Sequence, residues 1–176
     1  MSPDTAPWAD RPELVALAER LEARFVGGAV RDSLLGIPVA DIDLATPLSP
    51  GTVIDRVRDC GFKPVPTGIA HGTITAVLPD GPVEVTTLRR DVSTDGRHAV
   101  VAFTDDWRED ASRRDFTMNA LYADPATGRI FDYFGGLDDL KAGRVRFIGD
   151  PLQRIAEDHL RILRFFRFHA RFGDAV

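Results

Sequence analysis

Cysteine is nearly missing from this chain: Cys60 stands alone among 176 residues. An intramolecular disulfide is therefore impossible, and the usage fits a reducing cytoplasm. No apolar run reaches the roughly 20 residues that a bilayer-spanning helix needs, so no membrane association is expected. The amino terminus, MSPDTAPWADRPE, lacks the basic-then-apolar order of a secretion signal. Internal repeats and low-complexity segments are absent too. A net charge of -5 excludes a uniformly basic nucleic-acid-binding protein. Two lysines accompany twenty arginines, a bias that carries no functional demand of its own. What remains, 44% hydrophobic and 28% charged, is ordinary globular composition, enough for one well-packed domain or one domain and the start of another.

The positive charge is unevenly placed. Between Arg144 and Phe172 seven arginines (144, 146, 154, 161, 164, 167 and 171) face Asp150, Glu157 and Asp158. Leu14, Leu17, Ala18 and Leu21 predict an amphipathic helix over residues 12–23, with proline in its first turn. A short strand at 24–26 ends on Gly27-Gly28, and a helix over 29–35 is stopped by Gly36 and Pro38. Residues 39–45 alternate as a strand does. Ser49-Pro50 starts a helix through Arg58. Runs over 72–78 and 83–88, parted by Pro79-Asp80-Gly81-Pro82, predict a hairpin. Residues 89–104 read as a flexible loop, 105–112 as a helix, 121–123 and 129–131 as a second hairpin, and 152–172 as one long helix. The sum is α+β: a mainly antiparallel sheet flanked by helices, then a C-terminal helix.

The chemistry gathers in GGAVRDSLLGIPVADIDLAT, residues 27–46. On a strand, Asp41 and Asp43 project from the same face. Two neighbouring carboxylates raise each other's pKa unless a cation neutralises them. Mg²⁺ suits such hard oxygen ligands, taking one or two carboxylates and filling its other positions with water and phosphate. Gly27-Gly28 lies between a strand and a helix N-terminus, where glycine permits close approach and unpaired N–H groups attract anions. Arg31 is one turn further on. An anion cradle beside a Mg²⁺ pair points to a nucleoside triphosphate; taken alone, the glycines read equally well as a tight turn. Glu84, on a neighbouring strand, is either a third metal acid or the partner of an arginine. His71 is either a ligand or a residue that fixes a turn.

GGAVRDSLLG with DID, HGTITAVL, EVTTLR, RRDFTMNA, FDYFGGLDDL and EDHLRILRFFR, in this order from about Arg24 to Arg171, resemble bacterial tRNA nucleotidyltransferases. These are the CCA-adding enzymes of the class II branch of the polymerase-β-like superfamily, which also holds bacterial poly(A) polymerases. The resemblance implies a nucleotidyltransferase head over residues 1–140 and the start of a helical neck over 141–176. It implies two-metal transfer of C and A from CTP and ATP to the tRNA 3′ end. Asp41 and Asp43 would hold the Mg²⁺ ions, and Gly28 and Arg31, beside Gly27, would contact the triphosphate. Arg113, Arg114, Asp115 and Asn119 would position sugar and phosphates, although an Arg–Asp network bracing a helix end reads equally from Asp115. Asp158 and Arg161, three apart on one helix face, would pair with cytosine or adenine as a protein template; without the resemblance they read as an exposed helix salt bridge. Arg164 and Arg167 would stack beneath the base or reach phosphate.

Within the family, residues 91–104 occupy the place of the flexible loop used in switching from C to A, which favours complete CCA addition over CC-only or A-only relatives. Poly(A) polymerases carry a basic, aromatic stretch after the D-x-D strand; VPTGIAHGTITAVL here is apolar and hydroxylated. Family members continue past Gly173 into helical body and tail domains. The chain is therefore expected to act as a head fragment, holding nucleotide and Mg²⁺ better than tRNA.

Overall fold

The computed structural model describes residue 6, residues 8–95 and residues 98–173. Nine strands and seven helices follow one another among these residues. They run α1 (Pro12–Arg20), β1 (Arg24–Val26), α2 (Gly28–Leu34), β2 (Asp43–Thr46), α3 (Pro50–Asp59), β3 (Lys63–Gly68), β4 (Thr73–Leu78) and β5 (Gly81–Thr87). After these come β6 (Arg89–Asp95), β7 (His98–Phe103), α4 (Trp107–Ser112), β8 (Leu121–Ala123), β9 (Ile130–Asp132), α5 (Gly136–Lys141), α6 (Pro151–Glu157) and α7 (Leu160–Phe172).

Local chemistry starts most of the helices. Pro12 opens α1, which buries Leu14, Leu17 and Ala18. The Ser49 hydroxyl accepts the Thr52 N–H at the head of α3, and the Asp106 carboxylate accepts those of Arg108 and Glu109 at α4. Asp132 does the same for α5, accepting from Gly136 and Leu137 at 2.9 Å each.

Seven strands form one sheet in the order β3-β4-β5-β2-β1-β8-β9, and β6 with β7 form a separate ribbon. Every neighbouring pair is antiparallel except β2 with β5, which run parallel. The expected mainly antiparallel α+β architecture is present. Alternation divides the side chains between two faces. Phe25, Leu44, Val85, Ile74 and Leu121 enter the larger core with α1 and α3; Val26, Ala45 and Tyr122 enter a smaller one with Ala111 and Ile148. Register across the second face sets Phe131, Tyr122, Val26, Asp43, Glu84 and Thr75 in one row. Core therefore fills half of that row, and two acids and a threonine stand in the other half.

Three expectations need correction. Residues 39–45 do not form a strand as a whole: pairing starts at Asp43, and Asp41 lies in the irregular approach. On one side β1 has already turned into α2; on the other, Pro82 offers no N–H to extend the ladder. Residues 89–104 are not a structureless loop. Arg89–Asp95 pairs with His98–Phe103, with a register shift between Asp91 and Ser93. Its run of valines and threonine favours extended backbone; Gly96 and Arg97, at its tip, lie outside the described residues. Finally, the long helix over 152–172 is two helices broken at Asp158, whose backbone is extended (φ -155°, ψ 106°). Its carboxylate accepts the Leu160 N–H at 3.0 Å and so serves the start of α7, a local bond that competes with helix continuation.

α7 folds back on to the rest of the chain. Phe168 is buried beside Phe116, ring centroids 5.0 Å apart, and Phe116 packs in turn against Phe147 at a tilt of 49°. Leu163 and Phe166 lie on its exposed side. Gly136 marks another close approach: a Cβ there would stand 2.8 Å from the Thr117 carbonyl carbon and closer still to its oxygen. Gly136→Ala should lower unfolding stability by about 1–3 kcal/mol through overpacking, measured by denaturant titration.

Candidate active site

Residues from five separate parts of the chain line one open cavity of about 640 Å³. Gly27 and Gly28 form its floor. Gly27 holds φ +71°, a left-handed value that a side chain would strain, and its N–H reaches the Leu121 carbonyl at 3.3 Å. Arg31, one turn into α2, is 6% exposed. Its Nε donates to Asp32 at 2.8 Å and its Nη1 to Asn119 Oδ1 at 2.6 Å, while its guanidinium lies 4.3 Å from the Phe172 ring centroid. These contacts fix the cation beneath the cavity.

The second wall is the segment after α4. Arg113 and Arg114 both reach back to Asp110, the first through Nε at 3.0 Å and the second through Nη2 at 3.0 Å. The Tyr122 hydroxyl donates to the same carboxylate at 2.7 Å. Burial alone would push the Asp110 carboxyl up, but the Arg114 and Arg113 guanidinium groups outweigh it and hold the group below the usual carboxylate value. Burial pushes the Tyr122 phenol well above its ordinary value. Asp115 accepts from the Phe116 N–H and the Asn119 amide, and its Oδ2 receives Arg164 Nε at 2.8 Å. The expected bracing network at Asp115 is present, and it borders the cavity as well.

The third wall is α6–α7. Asp158, Arg161, Arg164 and Phe168 line the cavity, whereas Arg167 does not. The helix break changes how the first two are placed. Asp158 and Arg161 are not presented by three-residue spacing on one helix. Arg161 Nη1 instead donates to Glu157 Oε2 at 2.7 Å and to the Arg154 carbonyl at 2.8 Å. Arg161 Nη1 is thus occupied, and both Arg161 and Asp158 line the cavity.

Asp43 borders this cavity and a neighbouring one of about 780 Å³, which Asp41 and Glu84 also line. Asp43 and Glu84 are register partners on parallel strands, hence side by side. Desolvation and then the Glu84 carboxylate raise the Asp43 pKa; Arg114 partly opposes them and Asp41 adds to the rise. Among the described residues no three acidic, histidine or cysteine side chains are already gathered as a ligand set. Two carboxylates with room for water and phosphate are nevertheless what Mg²⁺ takes, and excess negative charge stands here waiting to be offset. His71 is exposed in a short turn; its backbone carbonyl, and not its ring, receives Arg89.

Three contributors escaped the sequence reading. Arg89 and Phe168 line the cavity, and Asp110 holds its two arginines from behind. An acid three and four residues before a pair of arginines was a signal for Asp110. Nothing local marked the others.

The family model of the Poly A polymerase head domain matches residues 23–146. The chain is 50% identical over 157 residues to the human CCA tRNA nucleotidyltransferase 1, mitochondrial, covering 89% of this chain and 36% of the relative. It is 41% identical over 153 residues to the CCA-adding enzyme of Enterococcus faecalis, covering 86% and 36%. Among solved structures, the Bacillus stearothermophilus CCA-adding enzyme in complex with CTP superposes with a TM-score of 0.81 at 36% identity, over 96% of this chain and 41% of that one. The chain thus spans little more than a third of the length of these curated relatives.

Proposed function

The chain belongs to the poly A polymerase head domain family, and from that premise we propose that it adds C and A to tRNA 3′ ends from CTP and ATP without a nucleic-acid template. One observation carries the reading: the diglycine with Arg31, Asp43, the Arg113–Asp115 stretch with Asn119, and Asp158 with Arg161 and Arg164, far apart in sequence, line one cavity of about 640 Å³. The relatives' names agree with it, since both curated relatives are CCA-adding enzymes.

In this reading the backbone at Gly27 and Gly28 receives the phosphates, and Arg31, Arg113 and Arg114 neutralise them. Asn119 and Asp115 orient the sugar. Asp158 and Arg161 present an acceptor beside donors to the base, which cytosine and adenine match and guanine and uracil do not. Arg164 flanks the base; Arg167 is left without a role. Asp41 and Asp43 would hold Mg²⁺, with Glu84 as a third acid at the register position beside Asp43; ions bound there would supply Lewis-acid activation of the 3′-hydroxyl and charge stabilisation for the pyrophosphate.

Incubation with Mg²⁺, labelled CTP or ATP, and tRNA ending before CC, CCA or A tests the activity directly. Transfer of C and A, but not of G or U, is expected; indiscriminate transfer would reject the template role. Arg161→Ala should relax the choice among the four nucleotides.

Nucleotide binding should also depend on pH. Because the Asp43 pKa is raised, its proton stabilises the metal-free fold at low pH and that stabilisation is lost as pH rises through the raised value. Mg²⁺ needs the ionised form. Mg²⁺-dependent CTP affinity should therefore begin to fall, on acidification, above the ordinary aspartate value of about 3.9. Calorimetric titration from about pH 8 to about pH 4 reads this; an affinity flat down to the ordinary value would contradict it.

A further inference from the structure

α6 places no side chain in the nucleotide cavity, yet it joins two of its walls. Arg154 Nη2 donates to the backbone carbonyls of Arg113 at 2.6 Å and Arg114 at 2.8 Å. Its Nη1 donates to Glu157 Oε2 at 2.9 Å. That same oxygen accepts from Arg161, which also donates to the carbonyl of Arg154 itself. The three side chains are largely withdrawn from solvent, at 11%, 20% and 13% exposure for Arg154, Glu157 and Arg161. A continuous bonded path therefore runs from the Arg113–Arg114 backbone to the guanidinium expected to read the base. The helix break at Asp158 lies inside that path. With α6 and α7 no longer one rod, ordinary helix geometry does not fix where Arg161 stands relative to Arg113.

We propose that Arg154 is a positioning residue for base selection: it clamps α6 to the Arg113–Arg114 backbone and so sets the Asp158–Arg161 edge at its working distance from the triphosphate wall. The inference rests on the functional reading above. Selection by a hydrogen-bonding edge is sensitive to displacement, since a misplacement of about 1 Å can cost about 10²-fold. A planar guanidinium fork serves two adjacent carbonyls and a carboxylate at once; a lysine ammonium, a point charge on a flexible stem, does not hold that geometry. The side chains of Arg113 and Arg114 are held separately by Asp110, so loss of Arg154 should disturb base choice more than phosphate binding.

The test is equilibrium binding of CTP, ATP, UTP, GTP and tripolyphosphate, with Mg²⁺, to the whole chain and to its Arg154→Lys, Arg154→Gln and Glu157→Gln variants, alongside thermal melting. All three variants should lose about tenfold or more of the preference for CTP and ATP over UTP and GTP, with tripolyphosphate affinity within about twofold of the parent. Arg154→Gln combined with Glu157→Gln should be no worse than either alone, as expected of one unit. A folded Arg154→Lys protein with undiminished preference would overturn the proposal. So would a preference that declines only in step with melting temperature and tripolyphosphate binding, the mark of a merely structural arginine. If the parent chain itself shows no preference, the functional reading fails first, and that result is distinct from the other two.

Discussion

Replacing both Asp41 and Asp43 by alanine should abolish Mg²⁺-dependent transfer from CTP, with a loss of about three orders of magnitude or more. Metal stabilisation of charge in phosphoryl-type transfer is worth several kcal/mol, and each 1.36 kcal/mol is tenfold in rate. The same change should not weaken the metal-free fold. Asp43 is already disfavoured in its ionised form by desolvation and Glu84, so removing it relieves repulsion at neutral pH, and melting temperature should hold or rise. The two readouts move in opposite directions, which separates a metal site from a structural pair. Labelled transfer undiminished in the double variant, or activity lost only together with the fold, would remove the metal assignment. Glu84→Gln, tested beside it, decides whether the register partner of Asp43 joins the site: a loss well short of the double variant's makes Glu84 an electrostatic neighbour.

The second large effect lies behind the site. Asp110→Asn should destabilise the protein by about 3–5 kcal/mol, the cost of removing one member of a buried ionic network. Asp110 is 1% exposed and receives Arg113, Arg114, the Tyr122 hydroxyl and the Arg89 backbone N–H. The neutral amide keeps the shape but leaves two guanidinium groups without their counter-charge. Because the Asp110 pKa is lowered, its contribution is complete above the ordinary aspartate value and is lost as pH falls through the depressed one. Native Asp110 should therefore add to acid sensitivity only below about pH 4, whereas the variant is weak throughout. Tyr122→Phe removes a single bond to the same carboxylate and should cost about 1 kcal/mol. Denaturant midpoints for the two variants check both figures; equal, small losses would mean that the arginines find other partners.

Much of the fold was legible because local rules and tertiary context agree. Ser49-Pro50 starts a helix by capping chemistry alone, and the runs on either side of Pro79–Pro82 pair because apolar and polar residues alternate across a tight turn. Legibility failed where a residue's state depends on a distant partner. Residues 89–104 read as a loop from Ser93-Thr94-Asp95-Gly96, turn-forming residues, yet His98–Phe103 offers the ladder that makes Arg89–Asp95 a strand. The segment over 152–172 reads as one helix by periodicity, which is blind to an aspartate that prefers to cap the next turn. Phe168 entered the cavity wall only because α7 folds back on to Phe116.

From the order of its residues alone, this chain specifies an α+β fold, a diglycine bend before a short helix, an acidic pair, and an arginine-rich segment over residues 144–171, since each follows from spacing and side-chain chemistry within a few positions. The three-dimensional structure alone decided that Asp43 stands beside Glu84, that Arg161 is held by α6 instead of by Asp158, and that Arg167 is left outside. Parallel pairing of β2 with β5, the return of α7 to Phe116 and the bonds from Arg154 to the Arg113 and Arg114 carbonyls are agreements between segments tens of residues apart. They depend on packing and on satisfied backbone bonds, which no local pattern encodes.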